Sequence, residues 1–260
     1  MRNFIQKSTT KIMLLVILIL GIEINAETTR NSVKMLEASE DIKLISQQIS
    51  KEYFYLFQNR GKQDILVSSL YQTVFALDEK VRLIATITKS EDTRNLLNYL
   101  ILSSERISET IAQPYDMENA ALMLDYSEIL FEGAESIALE YSYVFSEEEK
   151  MLISVKNMAY LIERITKYYM AFQAGLTDLN NIRQLKSAVV VFDEELSKVN
   201  QYHYPPANKK DLQIINQYWP IAKKLYLSLE KRKLPNILYI SSNHLENVIA
   251  KLKLFHTKNQ

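Results

Sequence analysis

Two stretches of this sequence place lysine, arginine and glutamine beside large apolar residues at helical spacing. In residues 42–56, IKLISQQISKEYFYL, the polar positions are Lys43, Gln47, Gln48 and Lys51. In residues 158–172, MAYLIERITKYYMAF, they are Glu163, Arg164 and Lys167. Lys51 and Lys167 follow Ile-Ser and Ile-Thr at matching positions. Cations and amides grouped in this way suit a small anion, which they attract by charge and hold by hydrogen bonds. Arginine adds a planar fork that lysine lacks. Two readings stand for these residues. One is a solvated helix flank laced by i,i+4 pairs. The other is a ligand or partner surface, with Arg164 and Lys51 as the expected anion contacts.

Other chemistry is sparse. His203, His244 and His256 have no histidine partner at i,i+3 or i,i+4, so metal-binding spacing is absent and solvated or capping roles are expected. The acids Glu147, Glu148 and Glu149 follow Ser146 in a capping-box pattern. No Glu-x-x-His pair, glycine-rich phosphate loop or nucleophile elbow is present. Cysteine is absent, which excludes disulfides and thiolate chemistry. The expectation is a protein that is not an enzyme and holds no cofactor or metal. Tyrosine is abundant, with runs at Tyr53-Phe54-Tyr55 and Tyr168-Tyr169. Neighbours on a helix point about 100° apart, so one member of each run is expected at a helix edge, a cleft or a partner.

The elements that carry these residues are long helices. Ile42, Ile45, Ile49, Tyr53 and Leu56 step by three and four, as do Met158, Leu161, Ile165, Tyr169 and Phe172. Glycine numbers only 4 and proline 5, too few for the turns of a β-rich chain. Helices are expected over residues 32–59, 63–88, 91–112, 118–143, 147–174, 179–199, 209–231 and from Pro235 to about residue 254. Gly61 and Gly175 are the expected stops of the two motif helices. In the fourth helix Leu122, Ile129, Ala134 and Ile137 are expected to face inward. Leu70, Val74, Leu77 and Val81 recur as Leu185, Val189, Phe192 and Leu196, and Asp78-Glu79 recurs as Asp193-Glu194. Leu122, Leu130, Ala134 and Ile137 recur as Ile237, Leu245, Ile249 and Leu252. The pattern predicts an all-α fold of long antiparallel helices in two duplicated up-down bundle units, residues 27–145 and 146–260. A single interleaved bundle is the rival arrangement.

The N-terminus has Arg2, Lys7 and Lys11 ahead of an apolar run from Ile12 to Ile22, with Ala26 as a small residue for cleavage. The run is short for a bilayer span, which needs about twenty residues, and matches a signal-peptide core. Residues 1–26 are therefore expected to be a signal peptide and the protein periplasmic. The alternative is anchorage to the inner membrane by an uncleaved segment. The formal net charge is +0, without the basic excess of a nucleic-acid binder.

The motif residues resemble the sensor domain of PilJ-type chemotaxis transducers, related to the periplasmic domain of NarX-like nitrate sensors. Ser46, Gln47, Ile49 and Lys51 match that family's signature helix, and the second copy keeps Leu161, Arg164, Ile165 and Lys167. Lys43 and Gln48 stand where the family carries arginines, and Arg164 keeps one. The resemblance implies an exported sensor-type bundle in two tandem copies. It would bind a small anion or solute, or dock on a membrane sensor or envelope protein, and could pair as a homodimer. A structural or adaptor protein of the envelope without a small ligand is the competing expectation. In either case the candidate contacts are Lys43, Gln47, Gln48, Lys51, Arg164 and Lys167.

Overall fold

The structure, a computed structural model, describes the backbone of residues 2–59 and 63–259, with side chains for 30–59 and 66–259. Eight helices and no strand are found among the described residues. They are α1 (Arg2–Gln58), α2 (Gln63–Ile87), α3 (Glu91–Ala112), α4 (Met117–Glu140), α5 (Glu147–Ala174), α6 (Leu179–Asn200), α7 (Pro206–Tyr226) and α8 (Pro235–Lys258). The all-α class read from the sequence is what the chain adopts. The Gly61 stop falls outside the described residues, and residues 2–26 of the signal-peptide reading are described only as backbone of α1.

Local chemistry sets most helix ends. Ser90 and Asp116 accept hydrogen bonds from the backbone N–H groups of Thr93 and Asn119, capping α3 and α4. Ser146 and Glu149 form the complete capping box of α5, each bonding the other's backbone N–H. Gly175 ends α5 at φ 113°, a left-handed conformation that a Cβ would strain. Residues 141–146 separate α4 from α5, so the two do not form one rod. Pro220 lies inside α7 rather than breaking it, and α7 ends at Tyr226, earlier than the expected residue 231. α1 begins at Arg2, far ahead of the expected residue 32, and no glycine or proline interrupts residues 26–32.

Helices α1 and α5 pack on each other and form the centre of the molecule. α1 also packs on α2 and α4, and α5 on α6 and α8. The outer pairs α3–α4 and α7–α8 complete the arrangement. One continuous apolar core includes residues of all eight helices, from Ile42, Ile49 and Tyr53 on α1 to Met158, Ile165 and Tyr169 on α5. The stripe residues Leu70, Val74, Leu77 and Val81 of α2, and Leu185, Val189, Phe192 and Leu196 of α6, are all buried. Ile129 is not: it is 40% exposed, and α4 turns Leu130, Ala134 and Ile137 inward instead.

Paired aspartates tie the outer helices in both halves. Asp78 on α2 accepts a hydrogen bond from Ser104 on α3 at 2.5 Å. Asp193 on α6 accepts from the Trp219 indole on α7 at 2.7 Å and from Lys223 at 2.5 Å. The Leu100 side chain of α3 packs against the α4 backbone at Gly133, where a Cβ would sit 2.8 Å from Leu100 Cδ2.

Candidate functional site

The central position of α5 decides what happens to its polar residues. Between Met158 and Ala171 only Tyr160 is not buried. A helix enclosed on every side has no solvated flank. Glu163, Arg164 and Lys167 are therefore interior groups, as are Lys43, Gln47 and Lys51 on α1; Gln48 is half-buried. The expectation of a solvated flank is corrected for five of the six candidates. Tyr168 and Tyr169 are both buried for the same reason, and Tyr53, Phe54 and Tyr55 likewise.

The buried charges fall into two groups that meet on α5, where Glu163 of one adjoins Arg164 of the other. In the first, Glu128 of α4 reaches α5. Arg164 donates to both of its oxygens, at 3.0 and 2.6 Å. Lys167 forms a short ion pair with the same carboxylate. Arg164 also donates to Gln184 at 3.2 Å and lies over the Phe131 ring at 4.7 Å. Lys167 lies over the Tyr168 ring at 4.4 Å. Two cations thus share one carboxylate, and the group carries an excess positive charge. Burial opposes ionisation of Glu128, but Lys167 and Arg164 outweigh it and hold its pKa below the usual range. Lys167 is wholly enclosed; burial, with Arg164 adding repulsion, lowers it to about 8 despite the attraction of Glu128.

The second group is acidic and joins α1, α5 and α8. Lys51 Nζ lies 2.6 Å from Glu163 Oε2 and donates to Asn243 at 2.7 Å. Its ammonium also sits over the Tyr239 ring at 5.1 Å. Gln48 donates to Glu246 at 2.6 Å, and Thr73 to Glu52 at 3.2 Å. Burial disfavours the charge on Lys51, but Glu163 and Glu246 more than offset it and raise its pKa. Burial pushes Glu52 up to about 7, partly offset by Lys51. Burial together with Glu163 also raises Glu246. Glu163 Oε1, Gln47 Oε1 and Ser50 Oγ are buried without a hydrogen-bond partner among the described residues. A proton on Glu246 supplies a donor for Glu163 and removes one of three carboxylate charges gathered around one lysine.

Lys43 stands apart from both groups. It pairs with Glu40 at 3.2 Å and lies between the Phe131 and Tyr160 rings at 5.7 and 5.0 Å. The six candidates therefore share the central region but not one pocket.

The sequence reading missed Glu128, Glu246 and Asn243, which come from helices far along the chain. It also missed His256. That residue is fully buried, with Nε2 2.7 Å from the Tyr204 hydroxyl and Nδ1 3.0 Å from Glu148. Tyr202 closes the cluster with a short hydrogen bond to Glu148. The solvated role expected of His256 is corrected, because the α6–α7 connection folds over the end of α8. His203 and His244 are exposed. No group of three or more acidic or histidine side chains with metal-binding geometry occurs among the described residues. None of the helices searched among those residues is long and apolar enough to cross a membrane.

Protein-family models, curated proteins and solved structures were compared with this chain, and none matches.

Proposed function

We propose that this chain is an exported, non-enzymatic bundle of the sensor type, which responds to a small anion through its central helices. One observation carries the reading: Arg164 and Lys167 are buried and share the single carboxylate of Glu128. Burying ions costs several kcal/mol each, and an apolar set of the same volume would hold the helices at least as well. A group with excess positive charge instead favours a second anion. In this reading the anion competes with Glu128 for the Arg164 fork and loosens the tie between α4 and α5. A ligand shifts packing only as far as it prefers one arrangement, and this exchange provides that preference. The periplasm is the expected compartment, and a membrane sensor or envelope protein the expected recipient of the signal.

The test is a thermal-shift titration of the full chain with nitrate, nitrite and single amino acids. Binding to the folded state alone raises the midpoint with concentration. The rise should vanish in Arg164→Ala, which leaves the Lys167–Glu128 pair in place. It should persist in Arg183→Ala, at an exposed position on α6. Equal responses in the two variants would remove Arg164 from the site.

The adaptor reading also has a specific observation behind it. Phe75 on α2 and Tyr99 on α3 are 61% and 64% exposed, and Tyr71 and Leu102 stand with them on the same two helices. Large exposed apolar side chains are what a protein partner would cover. No response to any anion, together with capture of a partner that fails to bind a Phe75→Lys variant, would favour it.

A further inference from the structure

Four lysines from four helices line one open groove of ≈ 250 Å³: Lys34 of α1, Lys80 of α2, Lys156 of α5 and Lys253 of α8. All four are half-buried. A half-buried lysine packs its stem and keeps its ammonium in water, where an acid or an anion can meet it. Only Lys80 has an acid, Asp41 at 2.7 Å. No ion pair joins Lys34, Lys156 or Lys253 to an acid among the described residues. Glu37 and Asp41 are the only acids on the walls, so the lining keeps two positive charges in excess. The chain as a whole has none.

We propose that this groove binds a small doubly charged oxyanion, of the phosphate or sulfate type. Charge fixes the class: two excess ammonium groups are balanced by one dianion. Size agrees, since one water needs roughly 10–15 Å³ of such space and the groove offers many times that. That is ample for a tetrahedral oxyanion with part of its hydration shell. It is below the roughly 300–1,000 Å³ of pockets that enclose drug-sized ligands. Lysine suits this task because its ammonium is a compact point charge on a long stem, able to meet an oxyanion from several directions. Since the four lysines belong to α1, α2, α5 and α8, an anion held among them would pin both central helices to an outer neighbour. The groove shares no residue with the Arg164–Lys167–Glu128 group, so this inference stands apart from the proposed function.

The experiment is isothermal titration of the full chain with inorganic phosphate, and separately with sulfate, at low ionic strength. Chloride at matched ionic strength is the control. A saturable one-site isotherm is expected with both dianions and none with chloride. The affinity should fall at least tenfold in Lys156→Met/Lys253→Met, where the methionines keep the apolar stems and hence the packing. Far-UV circular dichroism of that variant should match the parent. The affinity should survive Arg183→Ala unchanged, at an exposed position on α6 outside the groove. Absence of saturable binding, binding that chloride reproduces, or equal affinity in the folded double variant would each overturn the proposal.

Discussion

A carboxylate that is buried beside two others gains more from a proton than one in water, and Glu246 is in that position. Glu163 and Glu52 face it across α5 and α1, and Lys51 supplies the only cation. Its folded pKa is raised above the ordinary value, so the folded state holds a proton that the unfolded chain has released. The stability this contributes is complete below the unfolded value of 4.5 and is lost as pH rises through the folded one. Glu52, raised to about 7 by burial, acts in the same direction. Glu128 acts oppositely: its lowered pKa gives stability that is present above 4.5 and lost as pH falls. Together these groups place the most stable pH near 5, with a decline toward pH 8. Glu246→Gln keeps the shape and an amide donor for Glu163 but cannot ionise. The variant should therefore be more stable than the parent at pH 8. Its advantage should shrink at pH 5. Urea denaturation at the two pH values reads the difference, and an equal effect at both would mean that Glu246 carries no proton near neutrality.

Among the elements, α5 depends most on its start, because its first turn is exposed while its middle is enclosed. Tyr143 and the Ser146 N–H both donate to Glu149, at 2.5 and 2.7 Å. Ser146→Ala removes one half of the capping box and should cost about 1 kcal/mol, read as a lowered unfolding midpoint. Ser146→Asp should restore most of it, since aspartate accepts the same N–H and also favours the helix dipole. This cap was legible because a capping box is local, needing only Ser146 and Glu149 three residues apart. So were the stripes of α2 and α6, since each repeats every three or four residues and buries one face. The middle of α5 was not. Periodicity marks Met158, Leu161, Ile165 and Tyr169 as inward but assigns Glu163, Arg164 and Lys167 to the outside by default. Only the packing of α1, α6 and α8 around α5, with Glu128 reaching in from α4, turns those residues into interior groups. Glu128 lies 36 residues from Arg164, and Asn243 lies 192 from Lys51, with no local pattern to link them. His256 was missed likewise, since its partners Glu148 and Tyr204 are 108 and 52 residues away.

At the scale of the whole molecule, the question is whether residues 27–145 and 146–260 unfold separately or together. Each central helix has two outer neighbours: α1 has α2 and α4, and α5 has α6 and α8. Cross-ties run between the halves as well. Lys51 of α1 reaches Asn243 of α8, Tyr55 stacks on Tyr239 with centroids 3.7 Å apart, and Glu128 of α4 holds Arg164 of α5. Each half would expose the inner face of its central helix if the other were removed. That face includes Lys51 and Tyr55 on α1 and Glu163 and Arg164 on α5, all buried. The two halves should therefore melt as one cooperative unit. Trp219, the single tryptophan, lies on α7 and is buried against Phe192, so its fluorescence reports the second half alone. Leu100 is buried on α3, in the first half, where it meets Gly133 of α4. Leu100→Ala leaves a cavity there and should cost about 2–5 kcal/mol. If the molecule is one cooperative unit, that loss lowers the Trp219-detected midpoint by as much as the midpoint seen by circular dichroism, and the two transitions coincide. If the halves are independent bundles, Trp219 keeps its original midpoint while part of the helical signal is lost earlier. The cross-ties through α1 and α5 require the first result.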